Sequence, residues 1–165
     1  MDGFSCAGGA AALCLVLVAL PAGAAGDARA TMRDARGAAV GQVILRETPG
    51  GTLVRAELDG LPPGTHALHI HAVGACAPPG GHFNPGGHAH GLLATATPHA
   101  GDLPNIHVPR SGSVTQETHN PRLRLDGALF DSDGAAVVVH QGADDYRTDP
   151  AGDAGARIAC GVIRR

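Results

Sequence analysis

An all-β domain of short strands, interrupted by two long loops, is the fold class this 165-residue sequence predicts. Three observations carry that reading. Its 25 glycines and 12 prolines punctuate the chain at short intervals, which suits strands and turns better than long helices. The apolar stretches between them are short and rich in Val, Ile and Leu, and no segment repeats with a convincing helical period. Hydrophobic residues make up 44% of the chain while aromatics are only 2% and tryptophan is absent, so the core must be aliphatic.

Taken in order, residues 29–34 suit a first strand, and "PGG" divides a strand at 40–48 from one at 52–58. "DGLPPG" then leads into a strand at 65–71. Beyond residue 104, "NIHVP", "SVTQET", "AAVVVH" and "RIACGVI" supply four more, giving about eight strands at sandwich-like spacing. Residues 73–104 and 141–156 break the pattern. Loops of that length in a compact domain are usually functional or held by something.

The N-terminus reads differently. Residues 10–20, "AAALCLVLVAL", form an apolar run too short to span a bilayer, followed by Pro21 and the small-residue string "AGAAG". With an A-x-A signal at Ala22-Gly23-Ala24, residues 1–24 resemble a secretory signal peptide, although the preceding "MDGFS" carries Asp2 and no cation. No lipobox-like pattern precedes Cys14, so no lipid anchor is expected. The expected mature domain is residues 25–165. Cleavage removes Cys6 and Cys14, and the remaining Cys76 and Cys160 are most simply one disulfide of an exported chain. They stand 84 positions apart, a loop whose closure the chain-entropy account values at roughly 4–5 kcal/mol.

Every cation other than histidine is arginine, and the net charge is −3. With so few aromatics, neither a nucleic-acid footprint nor a base-stacking surface is present. The chemistry lies in ten histidines, all between residues 66 and 140. His69 and His71 are two apart on a strand, so both imidazoles project from one face while Leu68 and Ile70 point to the core. The loop "GGHFNPGGHAHG" adds His82, His88 and His90, and "PHAGD" adds His99 and Asp102. Imidazoles with one carboxylate suit a tetrahedral zinc site, and glycines let backbone wrap an ion where apolar contacts are missing. His140 closes the apolar run "AAVVVH".

The set "HIHAVGAC", "GGHFNP", a histidine eight residues after His82, "HAGDL", "VVVHQGADD" and "ARIACGVI" resembles the copper/zinc superoxide dismutase family. The likeness runs from about residue 40 to residue 163. It implies an eight-stranded antiparallel Greek-key sandwich or flattened barrel. It implies one copper held by His69, His71, His82 and His140, and one zinc held by His82, His90, His99 and Asp102, with His82 bridging them. Asp144 matches the aspartate that hydrogen-bonds His69 and His90, Arg157 the substrate-guiding arginine, and Cys76 with Cys160 the family's disulfide.

The implied activity is superoxide dismutation to O2 and H2O2 by alternating reduction and oxidation of the copper centre, with His82 as proton source. The implied setting is the periplasm, with superoxide as substrate, no nucleic-acid partner, no stable membrane association after signal cleavage, and a homodimer allowed. Ala72 departs from the acidic residue many members carry after the H-x-H pair. Lysines that steer superoxide in some members have no counterpart, which leaves Arg157, Arg147 or residues elsewhere. His66, His88, His107 and His119 match no ligand position and read as surface or turn histidines.

Three competing readings remain. A metal-buffering protein of the same compartment would favour redundant exposed ligands and need no arginine beside its site. A copper-only variant would lack His90, His99 and Asp102. A structural zinc sandwich leaves His69, His71 and His140 unexplained.

Overall fold

The computed structural model describes residues 26–165, so the signal-peptide reading of 1–24, with Cys6 and Cys14, lies outside the described residues. The described residues form nine strands: β1 (Ala28–Asp34), β2 (Ala39–Thr48), β3 (Gly51–Leu58), β4 (Gly64–His66), β5 (Leu68–His71), β6 (Ile106–Val108), β7 (Val114–Asn120), β8 (Ala136–His140) and β9 (Arg157–Arg164). Among the described residues there is no helix.

The eight expected strands are all found, with the one at 65–71 divided into β4 and β5. The break falls at Ala67, whose N–H donates to the Gly142 carbonyl while its own carbonyl accepts from His140 N–H. At that corner the chain changes partners. β4 pairs with β6, whereas β5 pairs with β8 at one edge of an antiparallel sheet ordered β5-β8-β9-β1-β2-β3-β7. Because β4 runs into β5 and β6 leads to β7, the short β4–β6 pair joins the two edges of the seven-stranded sheet. The sheet thereby curls into a flattened barrel, the arrangement that removes exposed edges.

Alternation decides the inside. In β1, Ala28, Ala30 and Met32 are buried while Arg29, Thr31 and Arg33 are exposed, and in β3 Val54, Ala56 and Leu58 turn inward. β8 is buried throughout, for two reasons. Val137 and Val139 belong to the main core, whereas Ala136 and Val138 form a separate small cluster with Cys160. That second cluster lies on the opposite face, where Ala136 stands across from His71 and Val138 from His69. The H-x-H imidazoles thus rise from the outer wall of the barrel, and Leu68 and Ile70 fill its interior.

A third irregular stretch, residues 121–135, contributes to that interior. Leu123, Leu125 and Leu129 are buried in the main core, and Thr52 Oγ1 donates to the Leu123 carbonyl at 2.8 Å. Their burial depends on contact with distant strands, so no local period announced it.

Candidate metal centre

The outer wall is covered by the two long loops, and their anchorage is specific. Residues 82–83 and 100–102 lie along the side of β5 opposite β8. Phe83 N–H donates to the Ile70 carbonyl at 2.7 Å, Ile70 N–H to the Gly101 carbonyl at 2.9 Å, and Gly101 N–H to the Phe83 carbonyl at 2.8 Å. A Cβ on Gly101 would collide with the Ile70 carbonyl, so only glycine admits this approach. The outcome is bridge pairing of His71 with His82 and of His69 with Asp102. The Cys76–Cys160 disulfide ties the start of the same loop to β9. A register shift between Val139 and His140 re-aims His140 at the end of β8.

Two groups of potential ligand atoms result, each gathered within 4.8 Å: His69, His71, His82 and His140, and His82, His90, His99 and Asp102. All seven residues are buried. A third group, His69, His90 and Asp144, is a hydrogen-bonded bridge. Asp144 Oδ2 accepts from His69 Nε2 at 2.8 Å and Oδ1 from His90 Nε2 at 3.0 Å.

Outer hydrogen bonds dictate which nitrogen of each ring bears the proton. A carbonyl or carboxylate oxygen only accepts, so His71 Nδ1 donates to the Gly80 carbonyl at 2.9 Å and His140 Nδ1 to the Gly155 carbonyl at 3.1 Å. Their Nε2 atoms are then bare lone pairs, yet they approach to 3.4 Å. His69, protonated at Nε2, keeps a bare Nδ1 that is buried with no hydrogen-bond partner among the described residues, and the same holds for His82 Nε2. Converging lone pairs repel unless a cation lies among them.

The second group is tighter. Asp102 Oδ1 lies 2.9 Å from His82 Nδ1, 3.1 Å from His90 Nδ1 and 3.3 Å from His99 Nδ1, and the last lies 3.4 Å from His82 Nδ1. Bonds to zinc at tetrahedral angles separate neighbouring donor atoms by about 3.3 Å, so these edges fit that ion.

Electrostatics separates the groups. Burial pushes His69 down to about 4 and His71 to about 3, against modest support from Asp144 and the Gly80 carbonyl respectively. Burial also lowers His140, and the charge of Arg157 adds to this. His90 goes the other way. Burial opposes its charge, but hydrogen bonds to Asp102 and Asp144 prevail and raise it to about 9. Both carboxyls are held well below their usual range, because hydrogen bonds from the histidines outweigh the effect of burial. The second group is a site that attracts cations.

Arg157 is exposed and stands opposite His140 across the β8–β9 ladder. Arg147, the second steering candidate, is exposed and donates to the Leu93 carbonyl at 3.3 Å. Part of the loop's acidity is structural: Asp145 accepts from the backbone of Arg147 and Thr148, and Asp149 Oδ1 from His90 N–H at 2.7 Å. His88, His107 and His119 are exposed. His66 corrects the expectation of a surface or turn residue. It is buried, with Nδ1 at 2.9 Å from the His140 carbonyl and Nε2 at 2.9 Å from the Pro62 carbonyl, tying β4 to the end of β8.

Residues 39–163 match the family described as copper/zinc superoxide dismutase. Superoxide dismutase (Cu-Zn) 2 of Aquifex aeolicus is 46% identical over 147 residues, covering 83% of this chain and 86% of that protein. The solved structure of Cu/Zn superoxide dismutase from Brucella abortus superposes with a TM-score of 0.73 at 32% identity, covering 84% of this chain and 100% of that one. A SOD-like protein from Bacillus subtilis superposes with a TM-score of 0.77 at 33% identity, covering 81% and 96%.

Proposed function

Because the chain belongs to the copper/zinc superoxide dismutase family, we propose that it converts superoxide to O2 and H2O2, with copper at His69, His71, His82 and His140 and zinc at His82, His90, His99 and Asp102. The observation that carries this reading is the placement of His82. Its Nδ1 belongs to the carboxylate-bearing group, and its buried Nε2, without a hydrogen-bond partner, is left for the all-imidazole group. One ring joins two donor sets of different chemistry, which neither a buffer nor a structural zinc site requires.

Bound copper would supply a one-electron couple that both accepts from and donates to superoxide, which redox-inert zinc does not. The chain's own residues supply the rest. His71 and His140 present Nε2, and His69 presents Nδ1, because Gly80, Gly155 and Asp144 hold the protons on the opposite nitrogens. Among the described residues His82 Nε2 has no hydrogen-bond partner, so a proton held there is not tied to a protein acceptor. Arg157, opposite His140, offers a fixed positive charge that raises the local concentration of an anion and orients it. The disulfide and the apolar run at residues 10–20 support export to an oxidising compartment, the periplasm.

Metal analysis of the purified protein, paired with a superoxide-decay assay, tests the proposal. One copper and one zinc per chain with rapid decay are expected. Zinc alone, with no dismutation after copper loading, would overturn it. Both metals without turnover would return the buffering reading.

A further inference from the structure

Asp144 touches one ring from each donor group, yet it sits in an irregular loop with no strand ladder to hold it. Its neighbour supplies the hold. Tyr146 has a φ of 61°, in the left-handed region that bulky residues rarely adopt. That conformation sends three groups in three directions. The Tyr146 N–H donates to Asp144 Oδ1 at 2.6 Å, its carbonyl accepts from Leu93 N–H at 3.0 Å, and its phenol oxygen accepts from Asn105 N–H at 2.6 Å.

Asn105 closes the circuit on Asp144. Its side-chain amide donates to the Asp144 carbonyl at 3.0 Å, and its Oδ1 accepts from Asp144 N–H at 2.9 Å. The Asn105 carbonyl in turn accepts from Gln116 Nε2, on β7, at 2.9 Å. Gly152, with a φ of 67°, packs so closely that a Cβ there would strike Asp144 Oδ1 and His90 Nε2. The carboxylate is thus fixed from its own backbone, from the phenol-anchored turn and from the far side.

We propose that Tyr146 is a positioning residue. By anchoring its left-handed turn to Asn105 through the phenol, it fixes the Asp144 carboxylate against His69 Nε2 and His90 Nε2, and so decides which nitrogen of each ring is left to bind metal. The inference rests on the two-metal reading and deepens it. It gives both donor groups one common mechanical reference in the β-sheet.

With zinc bound and copper reduced, the protein is diamagnetic, and its imidazole N–H protons can be followed by NMR. In Tyr146→Phe, the Nε2 protons of His69 and His90 should exchange with solvent several-fold faster. The Nδ1 protons of His71 and His140, held by Gly80 and Gly155, should not change. Zinc affinity should fall about tenfold, the lower end of what an outer hydrogen bond to a ligand is worth. Tyr146→Gly, which relieves the left-handed backbone but also lacks the phenol, should behave like Tyr146→Phe.

Equal acceleration at all four protons would reveal general loosening and overturn the proposal, as would unchanged exchange at His69 and His90. Wild-type protection in Tyr146→Gly would assign the hold to the backbone and overturn the role of the phenol. A wild-type protein that binds neither metal would remove the two-metal reading and this inference with it. Metals bound normally, with no selective effect in Tyr146→Phe, would remove the inference alone.

Discussion

Three donors, His69, His71 and His140, ride on strands; three others, His90, His99 and Asp102, ride on a loop. The strand-borne imidazoles are located by ladder hydrogen bonds, and burial keeps them neutral. His90 and His99 lie on no ladder, and Asp102, whose backbone is bridged to His69, compensates. Its Oδ1 faces the imidazole nitrogens, while its Oδ2 accepts from Gly91 N–H at 3.0 Å and His99 N–H at 3.1 Å. One carboxylate therefore builds the loop and charges the site. Where strand ladders supply position, neutral imidazoles are held without help; where they do not, one charged group holds the loop and the neighbouring rings together.

The two donor sets should respond differently to substitution. The largest effect is expected from His140→Ala, which should reduce superoxide decay to background while about one zinc per chain remains by metal analysis; retained activity would remove His140 from the redox site. Asp102→Asn should lower zinc affinity by more than about 100-fold, since even an outer partner is worth 10–100-fold, and leave the copper content near that of the wild type in a metal titration. Simultaneous loss of both metals would mean that the strand-borne set also depends on the loop. Arg157→Ala should keep both metals and lower kcat/KM about tenfold, a modest electrostatic effect read best at low ionic strength.

The smallest effect is in pH dependence. His69 and His71 are held to about 4 and about 3 against an ordinary 6.5, so the unfolded chain protonates first as pH falls. Their contribution is whole above pH 6.5 and is lost as pH drops towards those values. His90, raised to about 9, has the opposite sign: its contribution is whole below 6.5 and is lost as pH rises through about 9. The metal-free protein should therefore melt highest near neutrality, with Tm falling on the order of 5 °C on either side. A flat alkaline limb would exclude the charge pairing of His90 with Asp102 and Asp144.

The strands were legible because turn residues and aliphatic runs alternate in the sequence, and His69 and His71 because a period of two puts them on one face. His82, His90, His99 and Asp102 stood out as polar residues in a glycine-rich loop. What stayed hidden depends on contacts between distant segments. The break at Ala67 follows from a change of strand partner, and the burial of Leu123, Leu125 and Leu129 from strands far away in the chain. In the sequence His66 reads as one more surface or turn histidine, because the carbonyl of His140 that its Nδ1 meets lies 74 positions on. Asn105, Tyr146 and Gly152 carry no metal-ligand signature at all. Only a left-handed tyrosine beside an aspartate, seen in three dimensions, gives them away.

The imidazoles of the H-x-H pair stand on the outside of the barrel wall, on a patch of Ala136, Val138 and Cys160 separate from the main core. The aliphatic interior is complete without them. Replacing both imidazoles would therefore leave the apolar interior of the barrel intact.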